Sequence, residues 1–161
     1  MVKAVIRLGD VFSVDLGDRT KKYFQYVATD LTQLNSQVIR AFSKKYLMAD
    51  APALRDVVDG QIEFHAHVVI RWGIQMNLWQ KVGTVKEIRP VNMQFRDSSD
   101  YTNPEVGSVR KLFVWTVNEP TRKVGRLEGD DRHAEIGLVV SPLDILHRMR
   151  TGKYGFGYPG Y

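Results

Sequence analysis

Period-two alternation constrains this chain more than any other feature. Val11 to Leu16 sets Phe12, Val14 and Leu16 on one side and Ser13 and Asp15 on the other, the repeat of a half-buried strand. Tyr23 to Thr29 repeats it with Phe24, Tyr26 and Ala28, so the two runs and the Gly17 to Lys21 turn predict a β-hairpin. A third strand is expected from Gln37 to Ser43. Ile62 to Arg71 is the longest such run, with Ile62, Phe64, Ala66, Val68 and Ile70 on one face and Glu63, His65, His67, Val69 and Arg71 on the other.

Between Asp50 and Gly60 the spacing changes to a helical stripe of Leu54, Val57 and Val58, opened by Pro52 and stopped by Gly60. Trp72 to Gly83 can form one or two turns of helix over a sheet edge. Asn92 to Arg96, Lys111 to Val117 and Ala134 to Val140 read as further strands, and the polar stretch from Asp97 to Arg110 as the longest surface loop. Ser141-Pro142-Leu143-Asp144 opens a last helix with a serine cap, and Gly152 ends it. Together these predict an α+β, mostly β fold: an antiparallel, strongly curved or barrel-like sheet with two or three short helices.

At 161 residues, with 43% hydrophobic and 25% charged residues, the chain has the size and composition of one globular unit, and residues 1–161 are read as a single domain. It contains no cysteine, which excludes a disulfide, a thiolate nucleophile and a thiolate metal site. The N-terminal residues lack the apolar stretch of a signal peptide, and no apolar run is long enough to cross a bilayer, so a cytoplasmic protein is expected. The formal net charge of +5 favours anionic partners, but the basic residues form scattered pairs and no single stripe.

Chemistry must then come from oxygen and imidazole groups. His65 and His67 project from the same strand face, the geometry by which a strand offers two imidazoles to one metal ion. A third ligand would have to come from His133 or its neighbours Asp130, Asp131 and Glu135; otherwise the two histidines lie on a wet or half-buried face beside Glu63 and Arg71. No phosphate loop, dinucleotide fingerprint, nucleophile elbow or zinc-protease helix is present. Tyr101, Trp72, Trp79, Trp115, Tyr154, Phe156 and Tyr158 offer large rigid contact area wherever they are exposed. Tyr23, Gln25 and Arg40 only loosely supply the aromatic and basic interleaving of a nucleic-acid-binding sheet.

Several stretches in order carry a resemblance: Gly9-Asp10-Val11-Phe12, Lys22-Tyr23-Phe24-Gln25-Tyr26-Val27, Asp30-Leu31-Thr32-Gln33-Leu34-Asn35-Ser36, Phe64-His65-Ala66-His67 and Lys81-Val82-Gly83. Gly125-Arg126-Leu127-Glu128-Gly129, Ala134-Glu135-Ile136-Gly137, Asp144-Ile145-Leu146-His147-Arg148-Met149 and Tyr158-Pro159-Gly160-Tyr161 continue it to the end. With these the chain resembles the immunity protein 26 family, also called phosphotriesterase HocA-like.

The resemblance implies a protein that binds and sterically blocks a cognate polymorphic toxin inside the bacterium that makes it, with no cofactor. The phosphotriesterase half of the family name implies an alternative, a hydrolase of phosphotriesters using His65, His67 and His133 with a divalent metal such as zinc. Inhibitors of basic nuclease toxins are usually acidic, whereas this chain is net basic, so either the toxin is no nuclease or a local acidic patch faces it, from Glu128, Asp130, Asp131 and Glu135 or from Asp97 and Asp100. The candidates for the contact surface are Asp97, Asp100, Glu128, Asp130 and Asp131, with Tyr101, Tyr154 and Phe156 as aromatic contacts.

Overall fold

The structure, a computed structural model, describes residues 5–97, 112–124 and 127–156. The expected hairpin is present as β1 (Asp10–Asp15) and β2 (Thr20–Asp30), antiparallel with Phe12 opposite Phe24. Strand β3 (Ser36–Phe42) adds to β2, and the two-residue β4 (Tyr46–Leu47) pairs with the start of β2. Helix α1 (Leu54–Val58) follows, one turn shorter than its stripe suggests.

Strand β5 (Ile62–His67) pairs with β3 but stops before the alternation does. At its end the Val68 N–H donates to the Gln37 carbonyl at 3.0 Å and the Ile70 N–H to Gln37 Oε1 at 3.0 Å, and the chain turns into α2 (Ile70–Gln75). The segment from Trp72 to Gly83 is therefore part helix and part strand, because β6 (Trp79–Thr84) returns to pair with β1. Gly73 permits this return: a Cβ there would lie 2.0 Å from the Trp79 ring, whose Nε1 donates to the Ile70 carbonyl at 2.9 Å.

These strands form one sheet in the order β5-β3-β2-β1-β6, with β4 off the path. A second sheet has the order β10-β7-β8-β9, from β7 (Gln94–Asp97), β8 (Leu112–Thr116), β9 (Arg122–Val124) and β10 (Glu135–Gly137). Neither sheet closes or curls strongly, so the mostly β expectation holds without a barrel. Nor is the pairing wholly antiparallel, since β10 runs parallel to β7. Just beyond β10, Val139 bridges in parallel to His67 and the Val140 N–H donates to the His67 carbonyl at 2.8 Å, so one short segment ties both sheets together.

Both faces of the larger sheet are covered. On one, Phe12, Phe24, Ile39, Ala41, Phe64 and Ala66 pack with Ile70, Trp79, Ile145, Leu146 and Met149 of the later segments. Each fully buried large side chain there contributes about 1.5–3 kcal/mol. The helix that supplies Ile145, Leu146 and Met149 is α3 (Pro142–Thr151), which has the expected cap: Ser141 Oγ accepts from the Asp144 N–H, and Gly152 ends it at φ 85°. On the opposite face, α1 covers Val11, Tyr23 and Phe42, while Phe95 and Trp115 of the second sheet cover Val27 and Val38. Among the described residues no helix is long and apolar enough to cross a membrane.

Candidate functional site: a polar layer between the sheets and an acidic turn

The face that carries His65 and His67 is not wet. His65 is 8% exposed and His67 0%, because the second sheet lies over their end of β5. His67 meets the Phe95 ring edge-on at 4.2 Å, with Trp115 at 6.2 Å. Its Nε2 lies 2.9 Å from Asp30 Oδ2, and the same carboxylate oxygen accepts from Trp115 Nε1 at 2.9 Å. Asp30 Oδ1 accepts from the Asn118 N–H and the Gln33 N–H, each at 3.3 Å, and from Thr32 Oγ at 3.2 Å. One carboxylate at the end of β2 therefore binds β5, β8 and two turns.

Burial pushes the Asp30 carboxyl up, yet the bonds from Trp115, His67, Asn118 and Gln33 together hold it below the usual range. Burial pulls the His67 imidazole below its ordinary value against the opposing pull of Asp30. Its Nδ1 is buried without a partner, so a second proton would have nothing to bond. His67 is thus a neutral donor to an ionised Asp30.

His65 accepts at Nε2 from Arg40 Nε at 2.9 Å, which leaves its proton on Nδ1. Burial and the adjacent Arg40 charge pull this imidazole down to about 3. The partners of the two histidines are therefore Arg40 and Asp30, and not Glu63 or Arg71. Glu63 instead binds Lys22 Nζ at 3.0 Å, which also donates to the Met149 carbonyl at the end of α3.

In the fold His65 gains a proton only near 3 and His67 is likewise shifted down, whereas the unfolded chain protonates both near 6.5. Across the window from 6.5 down to about 3 the unfolded state thus binds more protons, and stability is lost as pH falls. His65 is expected to remove about 1.4 kcal/mol per pH unit once below 6.5, and His67 acts in the same direction. Denaturant melts at pH 7, 6, 5 and 4.5 check this: the wild type should weaken steadily and His65→Asn should show the shallower slope. Equal slopes in the two proteins would refute the assignment to His65.

The metal triad is not assembled. His65 and His67 are enclosed and bonded within the sheets, while His133 lies exposed in a 3-10 turn, Gly129–His133. Among the described residues no group of three or more histidine, aspartate or glutamate side chains is placed to hold a metal ion. The donor set also fails chemically, because the Arg40 guanidinium touching His65 repels a cation. The residues present do not fit a divalent ion at His65, His67 and His133.

Nor is there an exposed nucleic-acid platform in the first sheet, for Tyr23, Gln25 and Arg40 are all buried and Gln25 Nε2 donates inward to the Val85 carbonyl at 2.9 Å. The acidic candidates are differently placed. Glu128 and Asp130 stand exposed at the 3-10 turn, while Asp131 is half-buried and gripped by both terminal nitrogens of Arg122 on β9. Asp97 ends β7; Asp100 and Tyr101 lie outside the described residues.

Tyr154 is an inward anchor of the tail, 7% exposed, edge-on to Phe64 at 6.3 Å and stacked on the half-buried Phe156 at 4.9 Å. Arg148 lies over both the Phe64 and Tyr154 rings and forms a two-pronged pair with Glu135 at 2.6 and 2.9 Å. Burial pulls that guanidinium down, but the Glu135 pair outweighs it and raises it above its ordinary value. Among the described residues the exposed aromatic is Trp72, 53% open on α2, with the exposed Met76 one turn further on.

Sequence reasoning found His65 and His67 but assigned no role to Asp30 or Arg89. Neither position carries a local signal, since each acquires its role from partners remote in the chain. In comparisons with protein-family models, curated proteins and solved structures, the chain matches none of them.

Proposed function

We propose that this chain is a binding protein of the immunity type, which neutralises a cognate protein toxin in the cytoplasm by covering it, without turnover. One contrast carries the reading. The imidazoles that a hydrolytic reaction would need at the strand face are spent on internal bonds to Arg40 and Asp30, whereas Glu128 and Asp130 are presented outward on a short, tethered turn. The Arg122 to Asp131 pair fixes that turn to β9, so its exposed carboxylates meet a partner with little ordering left to do. A basic toxin surface would be steered to it despite the positive net charge of the whole chain. Trp72 and Met76 add an apolar contact of the kind that anchors interfaces.

The test is recovery of the partner with a tagged chain from its source cells, followed by expression of that partner with and without this protein. One stoichiometric partner whose toxicity disappears on co-expression is the expected result. Reversing both exposed charges, Glu128→Lys with Asp130→Lys, should weaken the complex at least tenfold, roughly the 1.4 kcal/mol step of a lost charge contact. Asp131 is the wrong residue to reverse, because losing the Arg122 pair would disturb the turn itself. Undiminished toxicity on co-expression would defeat the reading, and wild-type affinity in the double reversal would move the contact off this turn.

A further inference from the structure

Between the two apolar clusters on the covered face of the larger sheet runs a row formed by Gln25, Arg40 and His65 on adjacent strands. Arg40 is 1% exposed and sits at its centre. Its Nε donates to His65 and its Nη1 to the Arg89 carbonyl at 2.8 Å, but Nη2 is buried with no partner. Arg89, on the coil that follows β6, donates through Nη1 and Nη2 to the Asp59 and Gly60 carbonyls at the end of α1, at 3.3 and 2.7 Å. Its Nε is likewise buried and without a partner.

Every acceptor these two guanidiniums use is neutral: an imidazole nitrogen and three backbone carbonyls. No ion pair among the described residues involves either one. Among the described residues the buried Arg40 charge and the half-buried Arg89 charge thus have no counter-charge, an arrangement that proteins ordinarily avoid by pairing. Burial and the nearby Arg89 charge pull the Arg40 guanidinium down to about 10, which still leaves it charged at neutral pH.

We propose that the Arg40 and Arg89 layer binds a small inorganic anion of chloride size. The ion accepts from Arg40 Nη2 and Arg89 Nε, the two donors left over, and cancels the excess charge. Arg40 is hemmed in, with Gln25 tied to Val85 on one side and His65 bonded to it on the other, so the ion proposed is a small monatomic one. Arg89 is only half-buried, which leaves the layer nearest to solvent on the side of its coil.

The experiment compares thermal midpoints of the whole chain in sodium chloride and sodium gluconate at equal pH and ionic strength, with chloride-35 line broadening as a direct readout. The midpoint is expected to rise by about 5 °C as chloride saturates one site. The wild type should broaden the chloride line saturably, with bromide competing, and folded Arg40→Met or Arg89→Met should lose both signals. Should neither variant fold, the wild-type signals decide alone. Equal midpoints in the two salts with no broadening would overturn the site, as would a full chloride response in a folded variant.

Discussion

Asp30→Ala is expected to lower the thermal midpoint by on the order of 10 °C or more. The carboxylate accepts from the His67 ring, the Trp115 indole, two backbone N–H groups and the Thr32 hydroxyl, and it is wholly buried with His67. Alanine leaves the His67 and Trp115 donors enclosed without acceptors, and removing one partner of such a buried cluster costs about 3–5 kcal/mol. For a chain of this length each kcal/mol moves the midpoint by about 2–4 °C. Asp30→Asn keeps the shape and one accepting oxygen, so it should recover part of the loss. Calorimetry measures the midpoint, and near-ultraviolet circular dichroism reports whether Trp115 has lost its fixed environment. An alanine variant melting within about 2 °C of the wild type would show that the carboxylate does not join the sheets.

Gly137→Ala should be nearly as damaging, through volume and not charge. A Cβ at Gly137 would lie 2.2 Å from the Trp115 ring and 2.3 Å from the Arg96 carbonyl. Strand β10 cannot retreat without breaking its parallel register with β7, in which Ile136 faces Arg96. Trp115 cannot turn aside without giving up its bond to Asp30. Forcing a methyl into so tight a site costs about 3 kcal/mol. Because Asp30 is what holds the indole in place, the two substitutions should be less than additive when combined, by about 0.5–1 kcal/mol. Urea melts of the two single variants and the double variant measure this coupling. Strict additivity would mean that the clash is relieved elsewhere than at Trp115.

The elements that could be read from the chain are those whose determinants are local. The β1 and β2 hairpin follows from alternation around a glycine turn, and α3 from its serine cap and its terminal glycine. Strands β4 and β9, of two and three residues, are too short to show a period. The end of β5 does not show in the sequence, because Ile62 to Arg71 alternates throughout, yet Gln37 of the neighbouring strand captures the backbone of Val68 and Ile70 and starts a helix. The candidate site divides in the same way. That His65 and His67 share a face is a property of one strand, but what covers that face depends on Phe95 and Trp115. Arg40 supplies only one position of a loosely basic sheet, and Asp30 shows no role, until the Arg89 coil meets the first and the second sheet meets the other.

The short segment that carries β10 and Val139 also sets the order in which the molecule is completed. Strands β1, β2 and β3 pair with near neighbours and can form as they emerge, whereas β10 must find β7, and Val139 must find His67, across much longer loops of chain. Until that segment arrives, β5 and β7 each present an unpaired edge, and both are open to pairing with another molecule. A nascent or truncated chain that stops short of residue 135 is therefore the form most prone to self-association. Because one stretch supplies both pairings, its docking covers the β7 edge and the end of β5 in a single step.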